Sequence, residues 1–123
     1  MKNISPHVTI YKFPITAISS IANRLTGLTL TGLFVSSGLL SLCNIDPLDQ
    51  YQKCNLTVKR MINYSFVTPS VYHTLGGIRH FIWDKYPSLM TNRKVSQSSY
   101  FLFGSTLIMS AAIENVLNFN INK

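Results

Sequence analysis

Residues 25–45, LTGLTLTGLFVSSGLLSLCNI, form a stretch of 21 residues without a charged side chain. An α-helix rises about 1.5 Å per residue and the hydrocarbon core of a bilayer is roughly 30 Å thick, so about 20 apolar residues complete one crossing. Two further uncharged stretches follow, at residues 61–78 and 95–113. The pattern predicts an all-α membrane protein with three transmembrane helices, at about residues 20–45, 61–82 and 95–117. A buried helix of a soluble protein is the alternative for any one stretch, above all for the polar middle one.

The composition agrees with a small membrane protein. The 123 residues are 46% hydrophobic and 12% charged, whereas a soluble domain averages roughly 25% charged residues. The length suits one domain, residues 1–123. The net charge of +7 fits an anionic membrane surface or nucleic acid. The chain has no Lys/Arg run, zinc-ligand spacing or alternation of aromatic and basic residues, so membrane lipids are expected as partners and nucleic acid is not.

The basic residues predict the orientation in the membrane. Residues 1–18 are predicted to form a surface arm without the features of a signal peptide, and residues 46–60 and 83–94 to form surface loops. Seven Lys and Arg fall on the side of the N-terminus and four on the other, counted as Lys2, Lys12, Arg24, Arg79, Lys85, Arg93 and Lys94 against Lys53, Lys59, Arg60 and Lys123. The positive-inside rule then places the N-terminus on the matrix or cytoplasmic side. Cys43 and Cys54 match no ligand or disulfide pattern and are expected to be unpaired.

Two polar residues mark the start of the first predicted helix. Ser20 and Arg24 are spaced i, i+4 and therefore lie on one helical face, about one turn apart. Together a hydroxyl and a guanidinium can hold a carbonyl ligand or an anion. The alternative is that Arg24 reaches the headgroups and Ser20 is a capping residue.

His73 lies inside the second predicted helix, where an ionisable side chain is costly without a partner. Gly76 and Gly77 follow one turn later and remove side chains from the same region of the helix, as a flat macrocycle would require. This pattern suggests a haem ligand. The alternative is a histidine hydrogen-bonded to another helix, with the glycines serving close packing. A haem with two histidine ligands would take its second ligand from another subunit.

Three blocks of the sequence resemble a known family. They are residues 5–12 (SPHVTIYK), residues 20–27 (SIANRLTG) and residues 72–84 (YHTLGGIRHFIWD), and their order and spacing are similar to those of the cytochrome b subunit of succinate dehydrogenase, a membrane anchor of respiratory complex II. The resemblance covers about residues 5–110. It implies a three-helix anchor that pairs with a second small membrane anchor subunit and docks an iron–sulfur subunit and a flavoprotein subunit. Electrons from succinate would then reach ubiquinone, with this chain as a subunit that is not catalytic alone.

The resemblance also implies roles for individual residues. Ser20 and Arg24 match the family's quinone-binding residues, and His73 matches the axial ligand of haem b, shared with the second anchor. Asn23 stands where family members commonly have histidine. Together with Arg79 and His80, it is a candidate for contact with a haem propionate or for a polar relay, which His7 could also join. None of these residues is a covalent catalyst.

Two alternatives of other classes remain at this point: a structural anchor that binds no haem, and a haem-carrying electron-transfer protein outside complex II. The second predicts two deep histidines on this chain, and the sequence has one, His73. The opening residues look most similar to mitochondrial members of the family, which implies the mitochondrial inner membrane. The bacterial plasma membrane is the alternative location.

Overall fold

The computed structural model describes residues 12–121 of the chain, with side chains as far as residue 118. All the regular secondary structure in this part of the chain is helical, as predicted. Its four α-helices are α1 (Ile15–Leu42), α2 (Pro47–Lys53), α3 (Leu56–Lys85) and α4 (Asn92–Ile121), and one 3-10 turn, Pro87–Leu89, precedes α4. The long helices α1, α3 and α4 all contact one another, so they form a three-helix bundle. His7 and most of the predicted surface arm lie outside the described residues.

Two of the long helices have the length and apolar composition needed to cross a membrane: Ile15–Leu42 and Asn92–Asn118. The central helix α3 has 30 residues, or about 45 Å at the α-helical rise, but it does not reach the same hydropathy because it contains more polar side chains. A third crossing by α3 therefore stays a prediction. Helix α1 begins at Ile15, about five residues before the predicted start of the first helix.

The first connection contains a short helix where a loop is predicted. The carboxylate of Asp46 accepts a hydrogen bond from the backbone N–H of Leu48 at 2.9 Å, and Pro47 occupies the first helical turn. Aspartate at the N-cap and proline at the first position both favour helix initiation, since proline lacks an N–H that would be unpaired there. The Asp-Pro pair therefore separates α1 from α2 and also starts α2. Asn55 caps α3 in the same way, accepting from Val58 N–H at 2.9 Å.

Helix α1 ends in a left-handed residue, Asn44, with φ 59°. The N–H of Ile45 donates to the carbonyl of Leu40 at 3.0 Å, and the N–H of Asn44 donates to the carbonyl of Ser41 at 3.1 Å. This pair of bonds is a Schellman motif, which satisfies carbonyls that have no partner within the helix. Asparagine tolerates the left-handed conformation better than most residues, so the residue at this position fixes where α1 stops.

The distribution of polarity suits a bilayer. The buried polar residues of the described part are Ser19, Ser99, Thr106, Ser110 and Glu114, and the buried apolar residues are Pro69, Tyr72, Gly76 and Leu102. Large apolar side chains such as Leu28, Phe34 and Phe101 are exposed along the outer faces. Packing through small and polar residues is typical of membrane helices, because lipid tails offer apolar side chains the same environment as a protein interior. Lipid or partner helices are needed to cover the outer faces.

The bundle has two ends of different charge. At one end α1 begins, α3 ends and α4 begins, since Arg79 of α3 bonds to both Ser19 of α1 and Ser99 of α4. We call this the basic end; its cations are Lys12, Arg24, Arg79, Lys85, Arg93 and Lys94. The opposite end has Lys53, Lys59 and Arg60. Ser20, Arg24 and the C-terminal half of α3 therefore share one end of the bundle.

Candidate functional site

The imidazole of His73 is held by the backbone of α1. Its Nδ1 lies 3.1 Å from the carbonyl oxygen of Asn23, and since a carbonyl can only accept, Nδ1 must carry the proton. The hydroxyl of Thr26 donates to the same oxygen at 2.9 Å. In a neutral ring, protonation of Nδ1 leaves the lone pair on Nε2, the form in which histidine binds a metal. The backbone of α1 therefore both orients the ring and selects its tautomer.

Gly27 provides the space that the His73 ring occupies. A β-carbon at position 27 would lie 2.8 Å from Cε1 of His73 and 3.3 Å from its Nδ1. Carbon atoms pack best at about 3.5–4.0 Å, so any other residue at this position would displace the ring. The sequence spacing of Gly27 and Thr31 indicates close helix approach, and the structure shows that the group approaching Gly27 is His73.

The two glycines after His73 have different surroundings. Gly76 is buried, and a β-carbon there would collide with the side chain of Asn23, so this glycine serves the packing of α3 against α1. At Gly77 a β-carbon would meet nothing within 4 Å. Four residues separate His73 from Gly77, which places both on one face of α3. That face is exposed at both positions.

These features fit a haem beside α3, with His73 as its ligand on this chain. The proton on Nδ1 is fixed by Asn23, which is the orientation that metal-ligating histidines usually require. The exposed glycine at position 77 leaves room for a flat ring next to the helix. Oδ1 of Asn23 is buried against Gly76 and has no hydrogen-bond partner in the described part of the chain.

Ser20 and Arg24 lie on a face of α1 that does not contact this histidine. Ser20 is half-buried and Arg24 is exposed. The α1 residues that face α3 are one position earlier in each turn, at Ser19 and Asn23, because each residue advances an α-helix by about 100°. The side chains of Ser20 and Arg24 are thus turned toward whatever lies beside the bundle.

A serine–arginine cluster, formed by Ser19, Tyr72, Arg79 and Ser99, joins the three long helices at the basic end. Arg79 donates to the hydroxyl of Ser99 at 3.1 Å and to the hydroxyl of Ser19 at 2.9 Å. The hydroxyl of Tyr72 donates to the carbonyl of Ser19 at 3.1 Å. Both serines have no exposed surface. The guanidinium of Arg79 also lies over the ring of Trp83, 4.6 Å from its centroid.

Sequence reasoning did not identify Ser19, Tyr72 and Ser99. A signal for Ser19 was present, because Ser19, Asn23 and Gly27 repeat every four residues as a stripe of small and polar side chains. Such a stripe is typical of a packed face of a membrane helix. His80, by contrast, is exposed, and its ring stands edge-on to Trp83 at 5.4 Å between centroids.

Glu114 is a second polar residue that the sequence did not single out. It is 1% exposed, and its Oε1 accepts a hydrogen bond from Nδ2 of Asn118 at 3.0 Å. Nε of Arg60 lies 3.4 Å from Oδ1 of Asn118, which links α3 to α4 at the end opposite the basic end. Oε2 of Glu114 has no hydrogen-bond partner among the described residues.

Comparison with known proteins places this arrangement in a family. The model of the succinate dehydrogenase/fumarate reductase transmembrane subunit matches residues 1–113. The succinate dehydrogenase cytochrome b560 subunit of Porphyra purpurea is 31% identical over 116 residues, with 86% of this chain and 90% of the relative covered. The mitochondrial cytochrome b560 subunit of Dictyostelium discoideum is 29% identical over 110 residues, covering 86% of this chain and 57% of the relative.

A bacterial relative is also similar. The succinate dehydrogenase cytochrome b556 subunit of Paracoccus denitrificans is 26% identical over 109 residues, with 85% of this chain and 84% of the relative covered.

The chain spans little more than half the length of the Dictyostelium relative. The mitochondrial relatives and the transmembrane family support the predicted location in the mitochondrial inner membrane. The chain belongs to the succinate dehydrogenase/fumarate reductase transmembrane-subunit family.

Proposed function

We propose that the chain is the cytochrome b anchor subunit of a succinate:ubiquinone oxidoreductase, in which it helps to bind haem b and ubiquinone. In this proposal α1, α3 and α4 all cross the membrane, with the N-terminus on the matrix side. The observation that carries the proposal is the fixed imidazole of His73, whose Nδ1 is bonded to Asn23 and whose ring rests against Gly27. The names of the relatives support the cytochrome assignment.

Haem b would be held by Nε2 of His73 and by a histidine of the second small membrane anchor subunit. When bound, the haem supplies a one-electron carrier inside the membrane. The role of this chain is to orient the ligand, because the carbonyl oxygen of Asn23 fixes the proton of the imidazole. Gly27 leaves space for the imidazole, and Gly77 leaves space for the haem macrocycle. A hydrogen bond that fixes the tautomer in this way also raises the basicity of the ligating nitrogen.

Ubiquinone would bind on the outward face of α1. Ser20 can donate a hydrogen bond to a quinone carbonyl, and Arg24 can place a fixed positive charge near the oxygen as that oxygen gains negative charge. Among the described residues, the side chains of Ser20 and Arg24 make no hydrogen bond. No such bond therefore has to break before a quinone binds. The two protons that complete reduction of the quinone to the quinol would come from another subunit or from water.

The three remaining polar candidates have different contacts. Both Nη atoms of Arg79 donate to serines, so a polar relay and a fixed positive charge suit this residue better than a haem propionate. The side chain of Asn23 keeps an unpartnered oxygen but carries no charge, and its amide nitrogen is the group that could donate to a propionate. His80 is exposed at the basic end and is the remaining candidate for the propionate or the relay.

The iron–sulfur and flavoprotein subunits would dock at the basic end. Ser20 and Arg24 are at this end, and His73 lies six residues, or about 1.7 helical turns, before Arg79 of the same end. Electron transfer between fixed centres requires short distances, so the soluble subunits have to lie on the side nearest these residues. The seven basic residues counted on the N-terminal side support a matrix location for that side.

The test is a reduced-minus-oxidised visible spectrum of the assembled complex with His73→Leu and, as control, Thr74→Leu. Thr74 is exposed on the next position of the same helix. We expect the low-spin haem signal to be lost or altered in His73→Leu only. An unaltered spectrum in an assembled His73→Leu complex would refute the ligand assignment. Absence of any haem signal from the wild-type complex would favour the structural anchor without haem.

A further inference from the structure

A cleft of about 340 Å³ lies between α3 and α4 at the basic end. On α4 it is lined by Leu102 and by Lys94, Ser98, Phe101 and Ser105. The last four repeat every three or four residues and so form one helical face. The corresponding face of α3 includes Leu75 and Ile82, with Trp83 toward the loop. The cleft is therefore a groove that runs along the two helices, apolar for most of its length.

The groove has the length of one membrane leaflet. From Lys94 to Ser105 the axis of α4 advances by about 16 Å at the α-helical rise, and half of a bilayer's hydrocarbon core is roughly 15 Å. Lys94 stands in the third position of α4, at the mouth. Trp83 is also near the mouth, and tryptophan favours the headgroup level.

The charge at the mouth is positive. Arg79 and Lys94 both line the cleft, and its lining contains no acidic side chain. The guanidinium of Arg79 lies over Trp83 on the groove side, and its Nε has no hydrogen-bond partner in the described part of the chain. An apolar channel that opens between two cations matches an acyl chain with an anionic headgroup.

The groove is separate from the proposed haem site. Nine residues, or two and a half helical turns, separate His73 from Ile82, so these residues face opposite sides of α3. A second anchor subunit that covers the His73 face thus leaves the α3–α4 groove facing away from it, toward lipid.

From these observations we propose that the α3–α4 groove binds one anionic phospholipid of the leaflet at the basic end. One acyl chain lies along Leu75, Ile82 and Phe101, and the phosphate is held by Lys94 with the charge of Arg79 behind it. Binding of the chain is driven by burial of exposed apolar surface, and the two cations select the anionic headgroup.

The test uses the assembled complex in phosphatidylcholine vesicles that contain a small fraction of phosphatidylglycerol with a photoreactive group midway along one acyl chain. After irradiation, labelled peptides are identified by mass spectrometry. We expect labelling to concentrate in residues 98–105. Lys94→Gln should lower it about fivefold, in line with the loss of one basic residue at a lipid surface. Arg93→Gln, one residue away and not part of the cleft lining, is the matched control and should leave it unchanged.

A second pair of variants tests the apolar part of the groove. Ser105→Phe should fill its inner end and abolish labelling, whereas Leu107→Phe, at an exposed position outside the groove, should not. Equal labelling in Lys94→Gln and wild type, labelling spread evenly over the outer faces, or equal labelling by a photoreactive phosphatidylcholine would overturn the proposal. So would a photoreactive side chain at position 105 that captures another subunit in place of lipid. Lys94→Gln alters no packed residue, so the proposal can be refuted even if Ser105→Phe fails to assemble.

Discussion

Replacing Gly27 by alanine adds a single methyl group and tests the packing of the His73 ring against α1. The new β-carbon would lie 2.8 Å from Cε1 of His73, and an ordinary carbon–carbon contact of about 3.5–4.0 Å requires the ring to retreat by roughly 0.7–1.2 Å. The Nδ1 to Asn23 O distance is 3.1 Å, so a retreat of this size along the same direction stretches it past hydrogen-bond range. Gly27→Ala should therefore break the bond that sets the tautomer.

Breaking this hydrogen bond should lower the stability of the bundle and weaken haem binding. Loss of one neutral hydrogen bond costs about 0.5–1.5 kcal/mol of stability. Loss of the hydrogen bond behind a metal-ligating histidine typically lowers metal affinity about 10–100-fold. We therefore expect an assembled Gly27→Ala complex with a shifted haem midpoint potential and haem that is lost more readily in detergent. The assays are a potentiometric titration followed at the haem absorbance and the haem-to-protein ratio after repeated washing.

Two other glycines of α1 supply the controls. A β-carbon at Gly32 or Gly38 would meet nothing within 4 Å, so Gly32→Ala and Gly38→Ala should leave the haem unchanged, and each removes a helix-destabilising glycine worth about 1 kcal/mol. If Gly27→Ala does not assemble, adding His73→Ala should restore assembly, because the clashing ring is gone. A Gly27→Ala complex with wild-type potential and haem retention would refute the reasoning.

Three further predictions follow from other parts of the molecule. Ser20→Ala and Arg24→Ala should each lower succinate-to-quinone activity about a hundredfold, the usual loss for one transition-state hydrogen bond, while succinate-to-dye activity is kept. Equal loss of both activities would indicate failed assembly, and retention of both would refute the quinone role. Glu114→Leu should destabilise the complex in a thermal unfolding assay by about 1 kcal/mol because it removes the acceptor of the half-buried Asn118 amide, whereas Glu114→Gln should cost less. Equal stability of the two variants would contradict this. In sealed inner-membrane vesicles of a Cys43→Ser variant, an impermeant thiol reagent should reach Cys54 from the face opposite the succinate site, and labelling from the succinate-oxidising face would overturn the orientation.

Charge spacing predicted the helices well because unpaired charges are costly in hydrocarbon, so charged side chains gather near the ends of long apolar stretches. The same signal says little about where a helix ends. Residues 46–60 are polar and contain a proline, as many loops do, yet Asp46 and Pro47 together start α2. The middle helix is the weakest of the three by hydropathy, because it contains the polar residues that meet α1 and α4, among them His73 and Arg79.

The partners of individual side chains were harder to predict. Periodicity placed His73 and Gly76 on α3, but the partner of each lies on α1, about 50 residues earlier, and only the packing of the two helices identifies it. Both glycines after His73 were interpreted as space for a macrocycle. The space beside one of them, Gly76, is instead occupied by the side chain of Asn23, because α1 approaches α3 closely at that level.

The adjacent serines of α1 show how one residue separates packing from binding. Ser19 has no exposed surface and is bonded to Tyr72 and Arg79, whereas Ser20 is only half-buried. The rotation of about 100° between them directs the first serine into the bundle and the second toward its surroundings. The same rotation separates Asn23, which fixes His73, from Arg24. Each turn of α1 thus supplies one residue that holds α3 in place and one that faces the surroundings of the bundle. The proposed haem ligand and the proposed quinone site can therefore share one end of a small bundle.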